Sequence, residues 1–243
     1  MASWMVHLRL AEKLLDKIDN LDAELFGIGN IAPDSGVPDE KWQNFDPPKE
    51  ITHLQNTNEA YYRTRDLEFY RTYLATQEIR EDRQKFSFFL GYFFHLITDN
   101  LWILNIWRPS RQRYLSQMSS VSELGKEVKY DWYGLDFRYV LDHPDCFFWR
   151  VFMASKYPPS YLAYFPEGAI EANMDYIKKF YSQAEKDIPA NYRIKDNKYL
   201  TSQEMDAFIL ESTETLYMIY YLIWEAGVGV EGMESALELL KGL

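Results

Sequence analysis

One cysteine, Cys146, is all the thiol chemistry the chain carries, so an internal disulfide is excluded and nothing calls for an oxidising compartment. Histidine is scarce too, at four residues, which makes the position of each one informative. No dense block of lysine and arginine offsets a formal charge of -11, and a chain of that sign repels polyanions unless a local site overrides it. Duplex nucleic acid is therefore not an expected partner. Alternating strand patterns are few, and internal repeats and low-complexity tracts are missing. The opening residues, "MASWMVHLRLAEKLL", set Arg9, Glu12 and Lys13 where a signal peptide would be apolar, so a cytoplasmic location is expected. No linker-like shift in composition divides the 243 residues, and a single domain is expected.

What the chain has in quantity is apolar and aromatic side chains, 47% and 17%, enough for a substantial core. They concentrate in "FFLGYFFHLITDNLW", Phe88 to Trp102. The stretch from Phe86 to Trp107 is long enough to cross a bilayer, but it contains His95, Thr98, Asp99, Asn100 and Asn105. A carboxylate at the bilayer centre costs roughly 2.5 to 3.5 kcal/mol on insertion scales, so no transmembrane segment is expected and the stretch reads as a central helix.

Around it the sequence reads as helices. Residues 4 to 18 carry Trp4, His7, Leu8, Ala11, Leu14, Leu15 and Ile18 at helical spacing, which turns His7 towards the core. Gly27 to Pro48 has the Gly, Pro, Asn and Asp content of a long ordered loop, a kind of loop that is usually functional. A Tyr-rich helix is expected over 57–77, the central helix over 82–107 with Pro109 ending it, and another helix over 167–184. Thr201 and Glu204 make a capping box for a long helix, and Met233 to Leu243 reads as a short terminal one. The expected class is all-α: a multi-helix bundle with a long ordered loop after its first helix.

His95 and Asp99, four apart, project side by side from one helical face, with Gly91 one turn earlier leaving room beside them. Such a pair serves equally as a hydrogen bond in a polar core pocket or as two ligands of one ion. His7 on a core-facing stripe, His53 after a Pro-rich loop and Asp34 in "GNIAPDSG" add donors in non-surface settings. Several buried carboxylates without counter-charge each cost several kcal/mol, whereas a divalent ion converts that penalty into binding energy. Mixed His and Asp donors suit zinc or another divalent transition metal.

On "VHLRLAEKLL", "APD", "THL" and "FFLGYFFHLITD", the first hundred residues or so resemble the zinc-dependent phospholipase C superfamily, which includes zinc-dependent single-strand nucleases. "GNIAPDSGVPDEKW", "PPKEITH" and "DWYGLDF" are similar to an uncharacterised bacterial phospholipase C-like branch; beyond about residue 140 helices match but motifs do not. The resemblance implies that Asp34, His53, His95 and Asp99 hold one zinc and that His7 holds a second, with Asp99 bridging. The family's third zinc uses a downstream histidine pair with a glutamate, and no such motif is present. Secreted members add the amino group of an N-terminal tryptophan, whereas Trp4 here is internal and His7 needs another partner. Asp131 is the candidate on stoichiometry, with Asp136 as runner-up; the competing reading makes Asp131 a helix cap and Asp136 solvent-facing.

The resemblance thus implies a two-zinc phosphoesterase, with ions about 3.5 to 4 Å apart activating a water against a phosphodiester or related ester. Asp34 is either a ligand or a general base. An acidic chain with no basic helix or groove suits neither lipid surfaces nor single strands, which points to a small phosphate ester. Arg108, Arg111 and Arg113 are placed to steer a phosphate or to form a solvated face, and His143 reads as surface. Tyr61, Tyr62, Tyr70 and Tyr73 read as packing. The alternative from another class is a non-catalytic, metal-stabilised module that binds a ligand or partner.

Overall fold

Helix α1 (Trp4–Leu15) forms where the apolar stripe demands it and buries His7 among Val6, Leu8, Leu10, Ala11 and Leu14. In the computed structural model, which describes residues 1–41, 43–56, 60–157 and 161–241, it is the first of ten α-helices. The fold is mostly helical; a two-stranded hairpin, Val37–Pro38 against Phe45–Asp46, is the only sheet among the described residues. The part of the "GNIAPDSGVPDEKW" motif at residue 42 lies outside the described residues, as do 57–59 and 242–243 of the expected helices.

Helix α2 (Ala23–Gly29) is capped by the Asp22 side chain and crosses the central helix at very close range. A Cβ at Gly29 would collide with the Phe88 carbonyl, and one at Gly91 would collide with the Phe26 carbonyl and come within 2.9 Å of Asn30 N. Only glycine permits two backbones to approach this closely. The space beside Gly91 is therefore taken by α2 and is not left open beside His95 and Asp99. After α2 the chain makes a 3₁₀ turn (Ala32–Asp34), the hairpin, and the single turn α3 (Lys49–Thr52) that ends at His53.

Helix α4 (Asp66–Tyr73) and short α5 (Gln77–Glu81) replace the helix expected over 57–77. The reason is a clamp: Asn100 accepts a hydrogen bond from Thr64 N and donates to Thr64 O, holding that stretch out of helical conformation. Among the four tyrosines, Tyr62 is buried, Tyr70 and Tyr73 pack partly buried against the core, and Tyr61 is exposed.

The central helix α6 (Arg83–Trp102) is buried at every residue from Phe86 to Trp102. Pro109 does not end it. The helix widens into a π turn (Ile103–Trp107), where Arg108 N reaches back to Ile103 O, and continues as α7 (Arg108–Tyr114) with the proline in its first turn, where no N–H is needed. Then come α8 (Val121–Asp142), α9 (Ala169–Tyr181) and α10 (Ser202–Tyr220), the last with both capping-box bonds of Thr201 and Glu204 in place. The C-terminal segment is a 3₁₀ turn (Ala236–Leu240), not an α-helix. No helix among the described residues is long and apolar enough to cross a membrane.

Candidate metal centre

Helix α6 offers a polar stripe at 92, 95, 99 and 100, and each member anchors a different segment. Tyr92 OH donates to Thr52 O, which fixes the turn carrying His53. His95 Nδ1 meets Asn30 O at 2.8 Å, a partner delivered by the glycine-mediated crossing of α2. A carbonyl can only accept, so Nδ1 bears the hydrogen and Nε2 presents its lone pair in the neutral ring. Burial lowers the His95 pKa against the pull of Asp99, which keeps that lone pair available at neutral pH. Asp99 Oδ1 accepts from Ala2 N at 2.8 Å.

The donors converge. His53 Nε2 lies 3.3 Å from His95 Nε2, 3.2 Å from Asp34 Oδ1 and 3.8 Å from Asp99 Oδ2, while His95 Nε2 lies 3.7 Å from Asp99 Oδ2. Metal–ligand distances of about 2.0 to 2.2 Å in a tetrahedron require donor separations of about 3.3 to 3.6 Å, close to those observed. His7 stacks on His95 with centroids 3.8 Å apart, and its Nε2 is 3.8 Å from Asp99 Oδ1. Two overlapping groups, His7/His95/Asp99 and Asp34/His53/His95, could each hold a metal ion.

The strongest test of fit is what remains unsatisfied. Both ring nitrogens of His7 and Oδ2 of Asp99 are buried without a hydrogen-bond partner. Orphaned polar atoms at full burial cost about 1 to 3 kcal/mol each, more when charged, and a cation beside them removes that cost. Burial, then the neighbouring His95, holds the His7 pKa well below its usual value, so the ring is a neutral donor. Asp34 behaves in the opposite sense: burial alone would raise its pKa, but the His53 hydrogen bond and the imidazoles around it hold it well below the carboxylate range. An imidazole nitrogen has one lone pair and serves one ion. With His95 committed to Asp34 and His53, a second ion is left with His7 and the far oxygen of Asp99.

The centre opens on one side. His7, His95 and Asp99 are fully buried, whereas Asp34, with its side chain 14% exposed, and His53 line a cavity of about 1020 Å3.

Asp131 is not brought to the cluster. It sits mid-helix in α8, buried, and its oxygens accept from Arg193 Nη1 at 2.9 Å and from the backbone N–H groups of Lys198, Tyr199 and Leu200. It caps a distant chain segment, with both oxygens bonded within the protein. Asp136 is not solvent-facing either: it is buried and accepts from Ser3 Oγ and Tyr181 OH. His143 is exposed and stacks on Tyr139. Three roles escaped the sequence reading: Asn30 orients His95, Tyr92 fixes the His53 turn, and Lys49 and Lys129 line the cavity. Only Asn30, directly after "GIG", carried a local signal, as a helix-ending residue. Comparison of the chain with protein-family models, with curated proteins and with solved structures returns no match.

Proposed function

We propose that the chain is a metal-dependent phosphoric ester hydrolase of the zinc-dependent phospholipase C type, with zinc as its resident ion. The observation that carries this reading is the set of imidazole and carboxylate donors, spaced for a tetrahedral ion and partly orphaned, at the foot of an accessible cavity. The resemblance at "APD", "THL" and "FFLGYFFHLITD" points the same way. Asp34, His53, His95 and Asp99 would hold one ion, and His7 with Asp99 would contribute to a second. When bound, the ions supply Lewis acidity towards a phosphoryl oxygen and a nucleophile at neutral pH.

The chain's own residues do the rest. The Asn30 carbonyl locks the His95 ring, and Tyr92 locks the turn that presents His53, so the donors are preorganised. Asp34 at the cavity edge, with its pKa held low, is a poor proton acceptor and a good ligand, which favours the ligand role over that of general base. Positive side chains along the cavity favour an anionic ester over a neutral amide.

Zinc-loaded protein is expected to hydrolyse bis(4-nitrophenyl) phosphate, with the rate falling about a hundredfold or more in Asp99→Asn and in His95→Ala. Metal held tightly, with no turnover of diesters, monoesters, phospholipids or single strands, would instead favour the metal-stabilised binding module. Absence of the family's third-site motif makes that the second reading.

A further inference from the structure

Several cations of this acidic chain pair with acids, among them Arg9 with Asp206, Lys17 with Glu214, Arg113 with Glu204 and Arg150 with Glu12. The cavity stands out by its excess of cations over acids. Of the described residues lining it, Lys49, Arg63, Arg108, Arg111 and Lys129 are positive, and Asp34, a metal-donor candidate, is the single acid. Arg108 is used structurally, donating to the carbonyls of Ala60 and Tyr61. Lys49, Arg111 and Lys129 have no ion-pair partner among the described residues. Unpaired like charges facing one concavity in a chain of net charge -11 are a focused positive field.

The cations are also spread out. Val121, Gly125, Lys129 and Tyr133 recur every four residues, so one face of α8 forms a wall about 18 Å long at 1.5 Å per residue. Lys129 lies at the metal end, where it shares the cavity wall with Lys49 and Asp34 and their charges act on its ammonium. Trp107 packs at the middle, 6.4 Å from the Trp132 ring and 3.7 Å from where a methyl on Gly125 would stand. A short connection joins α7 to α8, so the two run antiparallel and Arg111, one turn beyond Trp107, falls level with the start of α8. Along the axis of α8, Arg111 and Lys129 are thus offset by about two helical turns, roughly 12 Å.

We propose that the cavity takes a small phosphate ester bearing a second anionic group, phosphate or carboxylate, with one end over the His/Asp donors beside Lys49 and Lys129 and the other against Arg111. The assignment of the reacting end rests on the hydrolase reading; the second anionic subsite does not. A zwitterionic phospholipid head group suits this lining poorly, because its ammonium would meet unpaired cations and only one acid.

Calorimetric titration of the zinc-loaded protein with hexane-1,6-diol bisphosphate and with hexyl phosphate tests the proposal. The bisphosphate is expected to bind about tenfold tighter, a charge-assisted contact's worth of affinity. Arg111→Gln is expected to remove that gain while shifting hexyl phosphate by less than about twofold, and Lys129→Gln to weaken both. Equal affinity for the two ligands, or an Arg111→Gln variant that weakens both alike, overturns the proposal. The two readings fail separately: hydrolysis of aryl diesters with no bisphosphate preference removes the second subsite alone. A bisphosphate preference on a protein that hydrolyses nothing keeps the subsite and removes the hydrolase.

Discussion

Asp131 and Asp99 are both fully buried aspartates on long helices, and they are opposites. Both carboxylate oxygens of Asp131 are bonded by protein donors, Oδ1 by a guanidinium and Oδ2 by three consecutive backbone N–H groups. Asp66 resembles it, accepting from Asn100, Ser235 and Ala236 N. Asp99 has one backbone donor on Oδ1, nothing on Oδ2, and beside it a histidine with no partner at either nitrogen. Burial of an acid therefore does not mark a functional site; unused bonding capacity among clustered donors does.

The comparison can be broken by mutation. Asp131→Ala takes the shared acceptor from three consecutive backbone N–H groups and leaves Arg193 with Glu127 alone, and is expected to lower the free energy of unfolding by about 3 to 5 kcal/mol with or without zinc, read by urea denaturation. Asp99→Asn in metal-free protein is expected to leave stability unchanged or raised, because it removes a charge that the fold does not fully satisfy. Equal losses in the two variants would erase the distinction.

A smaller effect concerns Asp136, whose carboxyl is pushed up to about 7 by burial, against the hydrogen bonds from Tyr181 and Ser3. Because the folded pKa lies above the unfolded one, stability is greatest when the group is protonated and is lost as pH rises through about 7. His7 and His95, with lowered pKa values, contribute in the opposite sense, losing stability as pH falls through their unfolded value near 6.5. The Asp136 share is isolated by difference: between pH 6.5 and 8 the metal-free protein is expected to lose about 1 kcal/mol relative to Asp136→Asn. A slope unchanged in the variant would assign the titration elsewhere.

Much of this was legible in local sequence. The i, i+4 spacing of His95 and Asp99, the core-facing stripe through His7 and the Thr201/Glu204 capping box are patterns within one helical element, and the structure places them as the periodicity requires. What was not legible depends on distant partners. The donors to Asp131 lie 62 to 69 residues away, so stoichiometry assigned it to a metal while the fold uses it as a cap. Asn100 unmakes helix at Thr64 from 36 residues away, and Gly91 accommodates α2 where sequence alone suggested room for the His/Asp pair. Lys129 looked like any lysine on a helix, since nothing local shows that its face lines a cavity.

Elemental analysis of protein purified without chelator tests the central claim most directly, comparing the unsubstituted chain with Asp99→Asn and Asp131→Asn. The account predicts about two equivalents of a divalent transition metal per chain, lost in Asp99→Asn and retained in whatever Asp131→Asn protein folds. A chain that carries no metal, or one whose metal survives Asp99→Asn, would contradict it.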